Sequence, residues 1–319
     1  MAVPPLKLTA SSIGSVALAR AFPGAKGRVH SVFDRAINLL LPGGLVFLVG
    51  DDVARGPLNL TLETSPGASL ADLGVSTSDP VTVEGTTLEL GDGRVQFGSS
   101  AIYSPGPKLA RPVLENPRIV ANAEVARNTA IAFGNMAGLG GLLGLLSRRP
   151  VPSAPSGLNM FASAALGRAA RLEDALTAGD GAEAERAAAD LVGLGPGLTP
   201  SSDDMLAGMA LVCAVHGENS HSSPRATGLV GPSVLAAAPG RTTTLSTELL
   251  LQAALGRGNE AAMGLCDALL TGGLASVQRE TRRVAAIGET SGTDAVLGMI
   301  LGARLCADVP MGLARRAST

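Results

Sequence analysis

The sequence predicts an α+β protein: an N-terminal antiparallel β domain, built as a barrel, sandwich or prism of short strands, then a mostly α-helical C-terminal domain. Three observations carry this reading. From about residue 27 to 120 the apolar residues alternate with period two, and Pro and Gly separate the runs. After about Asn122 the spacing changes to three and four residues, in Ala- and Leu-rich stretches. The 319 residues also suit two domains better than one, expected at 1–122 and 123–319.

In chain order, Leu45–Val49 is an apolar run suited to a strand buried on both faces, and Leu58–Glu63 alternates as a half-buried strand should. Val81–Val83 and Leu88–Leu90 flank Glu84-Gly85 as a hairpin, and Gly91–Gly93 turns into Arg94–Phe97. Val32–Leu39 fits either a strand or a short helix. Helices are expected at Glu124–Phe133, Leu158–Thr177, Ala182–Leu191, Met205–Val215, Thr244–Leu255, Glu260–Leu270 and Ala295–Leu305. Two loops interrupt them, Arg148–Ser156 with three prolines and Glu218–Gly240, rich in Ser, Pro and Gly.

Composition excludes several classes. Net charge is -2, no basic run occurs, and one Tyr with no Trp leaves no stacking surface, so nucleic acid is not an expected partner. Cys213, Cys266 and Cys306 are odd in number and lie in apolar helical patterns, as small core residues of a reducing compartment do. Ile13–Ala19 is too short and broken for a signal peptide. Thr129–Ser147 is uncharged, but Asn135 and five glycines favour a buried helix and a Gly-rich turn over a membrane span. A cytoplasmic protein is expected.

The polar chemistry centres on Gly193-Leu-Gly-Pro-Gly-Leu-Thr-Pro-Ser-Ser-Asp-Asp204. Gly193, Gly195 and Gly197 allow a sharp turn and leave room for a ligand to approach backbone N–H groups. Pro200 fits the first helical position with Thr199 as N-cap. Alternatively, Ser201 caps the helix and Asp204 closes a capping box. Either way a helix start beside glycines favours an anion, although Asp203 and Asp204 would repel one unless a cation or donor lies between. The plain alternative is that these acids only cap the helix. No Walker or dinucleotide pattern is present, since no Lys follows the glycines and no strand precedes them.

Thr290-Ser-Gly-Thr-Asp-Ala-Val-Leu-Gly-Met299 repeats the spacing of Pro200–Met209, with Ser, Asp three on, and Gly four beyond. Asp204 and Gly208 share a helical stripe, as do Asp294 and Gly298, so each acid would sit beside a close helix crossing. Two helix starts facing one pocket are therefore expected, each bringing a hydroxyl, a carboxylate and N–H groups; pure packing is the alternative for the glycines. A third cluster, Arg241-Thr-Thr-Thr-Leu-Ser-Thr-Glu248, opens another helix with a cation suited to carboxylate or phosphate. The three histidines lack zinc spacing; His30, close to Asp34 and Arg35, is kept as a candidate.

These clusters, in this order, resemble the AllH-type family, a subunit of FdrA-linked oxamate carbamoyltransferase. The strongest match is Gly193–Asp204 with Ala207-Gly208. Thr242–Ser246, Ser291–Asp294, Val29–Phe33 with Asn38, and Gly56-Pro57 look similar more weakly. The family usually carries Gly at Ser202; in a ligand-approach position this serine would add a contact or narrow the pocket. The resemblance implies carbamoyl transfer between oxamate and phosphate, giving carbamoyl phosphate from oxalurate in purine (allantoin) breakdown, with FdrA-like and companion subunits as partners. On this reading Asp204, Asp294 and Arg241 are catalytic. The small anionic substrate is held by Gly195, Gly197, Thr199, Ser201, Ser202, Asp203, Thr242, Thr243, Ser246, Ser291, Gly292 and His30. No cofactor or metal ligand is assigned, with room left for a divalent cation, and no activated nucleophile stands out. Two competing readings are a non-catalytic scaffold subunit and a metal-assisted hydrolase using Asp203, Asp204 and Asp294.

Overall fold

A computed structural model describes residues 7–65, 68–91, 93–146 and 157–313. The expected loop at Arg148–Ser156 and Asp92 of the expected turn lie outside those residues. The chain divides into two compact units, Met1–Pro105 and Gly106–Thr319.

The first unit is a β-barrel. Its strands are β1 (Lys7–Gly14), β2 (Lys26–Val32), β3 (Ala36–Leu41), β4 (Gly44–Val49), β5 (Asn59–Leu62), β6 (Pro80–Glu84), β7 (Thr87–Leu90), β8 (Gly93–Gln96) and β9 (Ala101–Tyr103). The order β5-β4-β3-β2-β6-β7-β8-β1 closes through a β1–β5 pairing, and β9 adds to β1. Closure follows the alternation: Ile37 and Leu39, Val81 and Val83, and Leu88 and Leu90 all enter one core with Val29, Leu48, Leu60 and Val95. Short helix α1 (Ser15–Arg20) follows β1, and its Val16 and Ala17 N–H groups donate to Pro57 O at 3.1 and 3.0 Å. Gly56-Pro57 thus supplies the carbonyl that caps α1.

Several details differ from expectation. Most pairings are antiparallel, but β4–β5, β8–β1 and β1–β9 are parallel. Alternation encodes which face is buried and carries no signal for a neighbour's direction. Val32–Leu39 is a hairpin, with Phe33 N–H donating to Ala36 O at 2.8 Å. In β5, Thr61 is buried as well as its apolar neighbours, because Ser12 on β1 gives its hydroxyl a partner at 3.1 Å.

The second unit is helical: α2 (Asn116–Phe133), α3 (Met160–Ala178), α4 (Gly181–Leu191), α5 (Ser201–Asn219), α6 (Arg225–Ala237), α7 (Thr244–Ala254), α8 (Glu260–Thr271), α9 (Leu274–Ala285) and α10 (Ser291–Cys306). A 3-10 segment, Gly140–Leu146, stands in the Gly-rich turn after α2, and no described helix is long and apolar enough to cross a membrane. Helix α2 begins at Asn116, with Pro117 in its first turn, earlier than the expected Glu124. The expected loop Glu218–Gly240 contains α6. Pro232 lies inside it. Its buried stripe, Thr227, Val230, Val234 and Ala237, has helical spacing. Helix α9 was not anticipated either, because charged residues surround the stripe Val277, Thr281 and Val284. All three cysteines are free and buried.

The helices that position the polar centre are α5 and α10, which run parallel. A Cβ on Gly208 would overlap Ala295 O, and one on Gly298 would overlap Met205 O. Further along, a Cβ on Gly302 would lie 2.9 Å from Met209 O. From Met205 and Gly298 to Met209 and Gly302 the contacts advance in the same direction on both helices, and Thr199 meets Ser291 at their starts, so the two N-termini sit at one end. The reciprocity of the Gly208 and Gly298 contacts matches the repeated sequence spacing. Only glycine allows backbones this close.

Candidate active site at two helix starts

The run Gly193–Pro200 folds back over the start of α5. Gly193 has φ 81° and Gly195 φ 122°, left-handed conformations that favour glycine. A Cβ on Gly195 would lie 2.7 Å from Ser201 N. Gly197 also has positive φ, but it is exposed, and a Cβ there would meet only Thr199 O, at 4.0 Å. Pro200 is the N-cap, so Ser201 is the first helical residue. This corrects both expected capping schemes: Thr199 is free of the cap and pairs elsewhere, and no capping box forms. In α10 the cap is Thr290, so Ser291 holds the position equivalent to Ser201.

The two starts interlock. Thr199 Oγ1 lies 3.0 Å from Ser291 Oγ, and both hydroxyls lie beside the Asp204 carboxyl. Reciprocally, the Ser201 hydroxyl lies beside Asp294. A third element completes the arrangement. Leu139 N–H donates to Asp294 Oδ1 at 2.7 Å, and a Cβ on Gly138 would lie 2.7 Å from Asp294 Oδ1 and 2.8 Å from Ser201 Oγ. The Gly138 backbone does not need glycine for its φ; it needs the space.

Asp294 is 0% exposed, and its Oδ2 has no hydrogen-bond partner. Asp204 is only half-buried as a residue, yet its Oδ2 is closed to solvent and is likewise unpartnered. Burial pushes the Asp204 carboxyl well above the ordinary carboxylate range, and the nearby Asp294 charge pushes the same way. The Ser291 and Thr199 hydroxyls pull partly back. Asp294 is raised to about 6, chiefly by burial, against the Ser201 hydroxyl and the Leu139 amide. Both acids therefore hold protons more readily than free carboxylates do. The N–H groups of Ser201 and Ser291 have no acceptor among the described residues.

Other candidates are used inside the fold. Ser202 is fully buried; its Oγ lies 2.6 Å from Leu191 O and 2.9 Å from Leu194 O, and it accepts from Leu194 N–H at 3.0 Å. It is a strut for the Gly-rich turn and reaches no pocket. Asp203 accepts from Gly193 N–H at 2.8 Å and from the Thr242 hydroxyl, which ties the Gly-rich turn to the start of α7. Thr243 caps α7, accepting from Ser246 N–H, while its hydroxyl donates to Leu198 O at 2.7 Å. Ser246 is buried with an unpartnered Oγ. Gly292 is a packing glycine, since a Cβ there would overlap Val284 O. The Arg241 carbonyl lies where a Gly193 Cβ would be, and its exposed side chain has no ion pair among the described residues.

His30 belongs to the barrel unit. It is the extra residue of a bulge between Val29 and Ser31, and its Nδ1 lies 3.1 Å from Ser31 Oγ. Asn38 donates to the same oxygen at 2.9 Å, which explains why these residues occur together in the sequence. The segment Asn135–Gly141 lies in the expected Gly-rich turn. It is held by Asn159, whose Nδ2 donates to the carbonyls of Met136, Ala137 and Gly138 at 3.2, 2.9 and 2.7 Å, and by Thr293, whose Oγ1 accepts from Asn135 N–H at 2.9 Å. The density of glycines there was the one available signal.

The fold and site define a class: an α+β protein in which a closed barrel precedes a helical unit, and the helical unit builds its polar centre from two parallel helix starts. Residues 9–102 match the AllH family N-terminal domain, and residues 191–303 match the family described as oxamate carbamoyltransferase subunit AllH. The chain belongs to the AllH family. No curated protein and no solved structure gives a match. The second matched segment contains both helix starts, whereas Gly138 and Asn159 fall between the two matches.

Proposed function

We propose that the chain is the AllH-like subunit of a cytoplasmic carbamoyltransferase that works with FdrA-like and companion subunits on oxalurate, oxamate and phosphate. Family membership supports the subunit assignment. The observation that carries the chemistry is the pair of buried, unpartnered Oδ2 atoms of Asp204 and Asp294 at the convergent starts of α5 and α10.

In this reading a phosphate oxygen attacks the carbamoyl carbon of oxalurate and the bond to the oxamate nitrogen breaks. The proton carried by phosphate ends on that nitrogen, so carbamoyl phosphate and oxamate leave. Such a transfer needs two anions held together and a place for charge on the carbamoyl oxygen. The Ser201 and Ser291 N–H groups, which have no acceptor among the described residues, and the positive ends of two helices suit that oxygen. Asp204 and Asp294 suit the carbamoyl N–H₂ or a bound cation, while the exposed Arg241 on the neighbouring turn, which forms no ion pair among the described residues, suits a carboxylate.

Equilibrium binding of oxamate and of phosphate to the full chain tests this. Binding of each, weakened in Asp204→Ala without loss of helical content, is the expected outcome. A chain that binds neither, and whose Asp204→Ala form still supports transfer in a reconstituted complex, would be a scaffold.

A further inference from the structure

We propose that the space between Asp204, Asp294, Ser201 and Ser291 is a site for one Mg²⁺-class divalent cation, completed by an anionic ligand such as phosphate. The starting point is an imbalance. Two carboxylates lie near each other, each with a buried Oδ2 that no hydrogen bond satisfies, and no Lys, Arg or His forms an ion pair with either among the described residues. An ionised group in such a place is costly without a counter-charge.

The local charge favours a cation. Each helix start contributes roughly +0.5 of an elementary charge, so the pair contributes about +1 against the two carboxylates. With both carboxylates ionised the balance is negative, a state that a held proton otherwise relieves, and a divalent ion turns it positive. That reverses the objection that acids beside a helix start would repel an anionic substrate. The ion becomes the bridge to it.

The donors fit the class of ion. They are all oxygen: two carboxylates, with the Ser201, Ser291 and Thr199 hydroxyls beside them. Hard oxygen donors suit Mg²⁺ or Mn²⁺ and lack the nitrogen or sulfur that zinc prefers. No cluster of three or more His, Cys, Asp or Glu side chains is placed to hold a metal among the described residues. Two carboxylates with open positions are what Mg²⁺ uses when the remaining ligands are water and substrate phosphate. A Cβ on Gly138 would overlap the Asp294 carboxyl and Ser201 Oγ, so these atoms pack directly against the Gly138 backbone. Asp203 takes no part, being held by Gly193 and Thr242.

The proposal does not depend on carbamoyl chemistry, and its test uses Mn²⁺ as the probe. Electron paramagnetic resonance titration of the full chain should show one Mn²⁺ per chain, displaced by Mg²⁺ and bound more tightly with inorganic phosphate present. Asp294→Asn and Asp204→Asn should each weaken Mn²⁺ by about 10–100-fold or more, the range that even residues supporting a metal ligand carry. Circular dichroism reports whether these variants fold, and Ser291→Ala, a milder change, should weaken Mn²⁺ in the same direction. Wild-type chain that takes up no Mn²⁺ with or without phosphate overturns the proposal, as does binding indifferent to all three substitutions. Phosphate that binds equally with and without Mn²⁺ also overturns it, and leaves the substrate reading of the same site intact.

Discussion

At the scale of single residues, Asp294 and Ser202 are opposite cases. Asp294 has a raised carboxyl in the folded chain, about 6 against an ordinary 3.8. The native state therefore holds more protons than the unfolded state between those values, and stability falls as pH rises through that window. Without added divalent cation, Asp294→Asn should make the protein more stable at pH 8, by on the order of 2 kcal/mol, and flatten the dependence between pH 4 and 6. Urea unfolding at pH 4.5 and pH 8 checks this; an Asn variant weaker than wild type at pH 8 would contradict it. Ser202 is expected to behave as structure. Losing its internal hydrogen bonds in Ser202→Ala should cost about 1–2 kcal/mol and leave phosphate and oxamate affinity unchanged. The sequence marked both residues as polar groups at a helix start. It could not separate them, because successive helical residues point about 100° apart, and only the neighbours decide which face meets the fold and which the site.

At the scale of elements, the crossing of α5 and α10 holds the two acids together. A Cβ on Gly298 has no room against Met205 O, so Gly298→Ala should destabilise the protein by about 3 kcal/mol or more, seen as a large fall in melting temperature. Gly228 on α6 is exposed and a Cβ there meets nothing. Gly228→Ala should instead stabilise by about 0.5–1 kcal/mol, so helix propensity alone does not account for the first result. The repeated spacing of Ser, Asp and Gly made this crossing legible, since one stripe joins acid and glycine on each helix. Helices α6 and α9 were not legible by the same means. Gly and Pro in one, and Arg and Glu in the other, mask stripes whose burial depends on the helices beside them.

At the scale of the whole molecule, the barrel and the helical unit each close a core of their own. Residues 106–319 expressed alone should fold cooperatively with a helical circular-dichroism spectrum and keep the phosphate affinity of the full chain. A molten product without cooperative unfolding would show that the helical core is incomplete by itself.

What the sequence alone determined is the change of period, and with it a β unit followed by an α unit, plus two helix starts with matching acids. Those features are local, because alternation, helical stripes and turn-forming glycines act within about ten residues. The tertiary structure decided strand direction and barrel closure. It also decided that Asp203, Ser202, Thr242 and Thr243 serve the fold, and that Gly138 and Asn159 complete the centre at Asp204 and Asp294. The hydrogen bonds of Gly138 with Asn159 and of Asn135 with Thr293 join residues 21 and 158 apart in the chain. Those of Ser202 and Asp203 with the Gly-rich turn span only 8 to 11 residues, and no local pattern encodes which group will arrive to satisfy a polar atom.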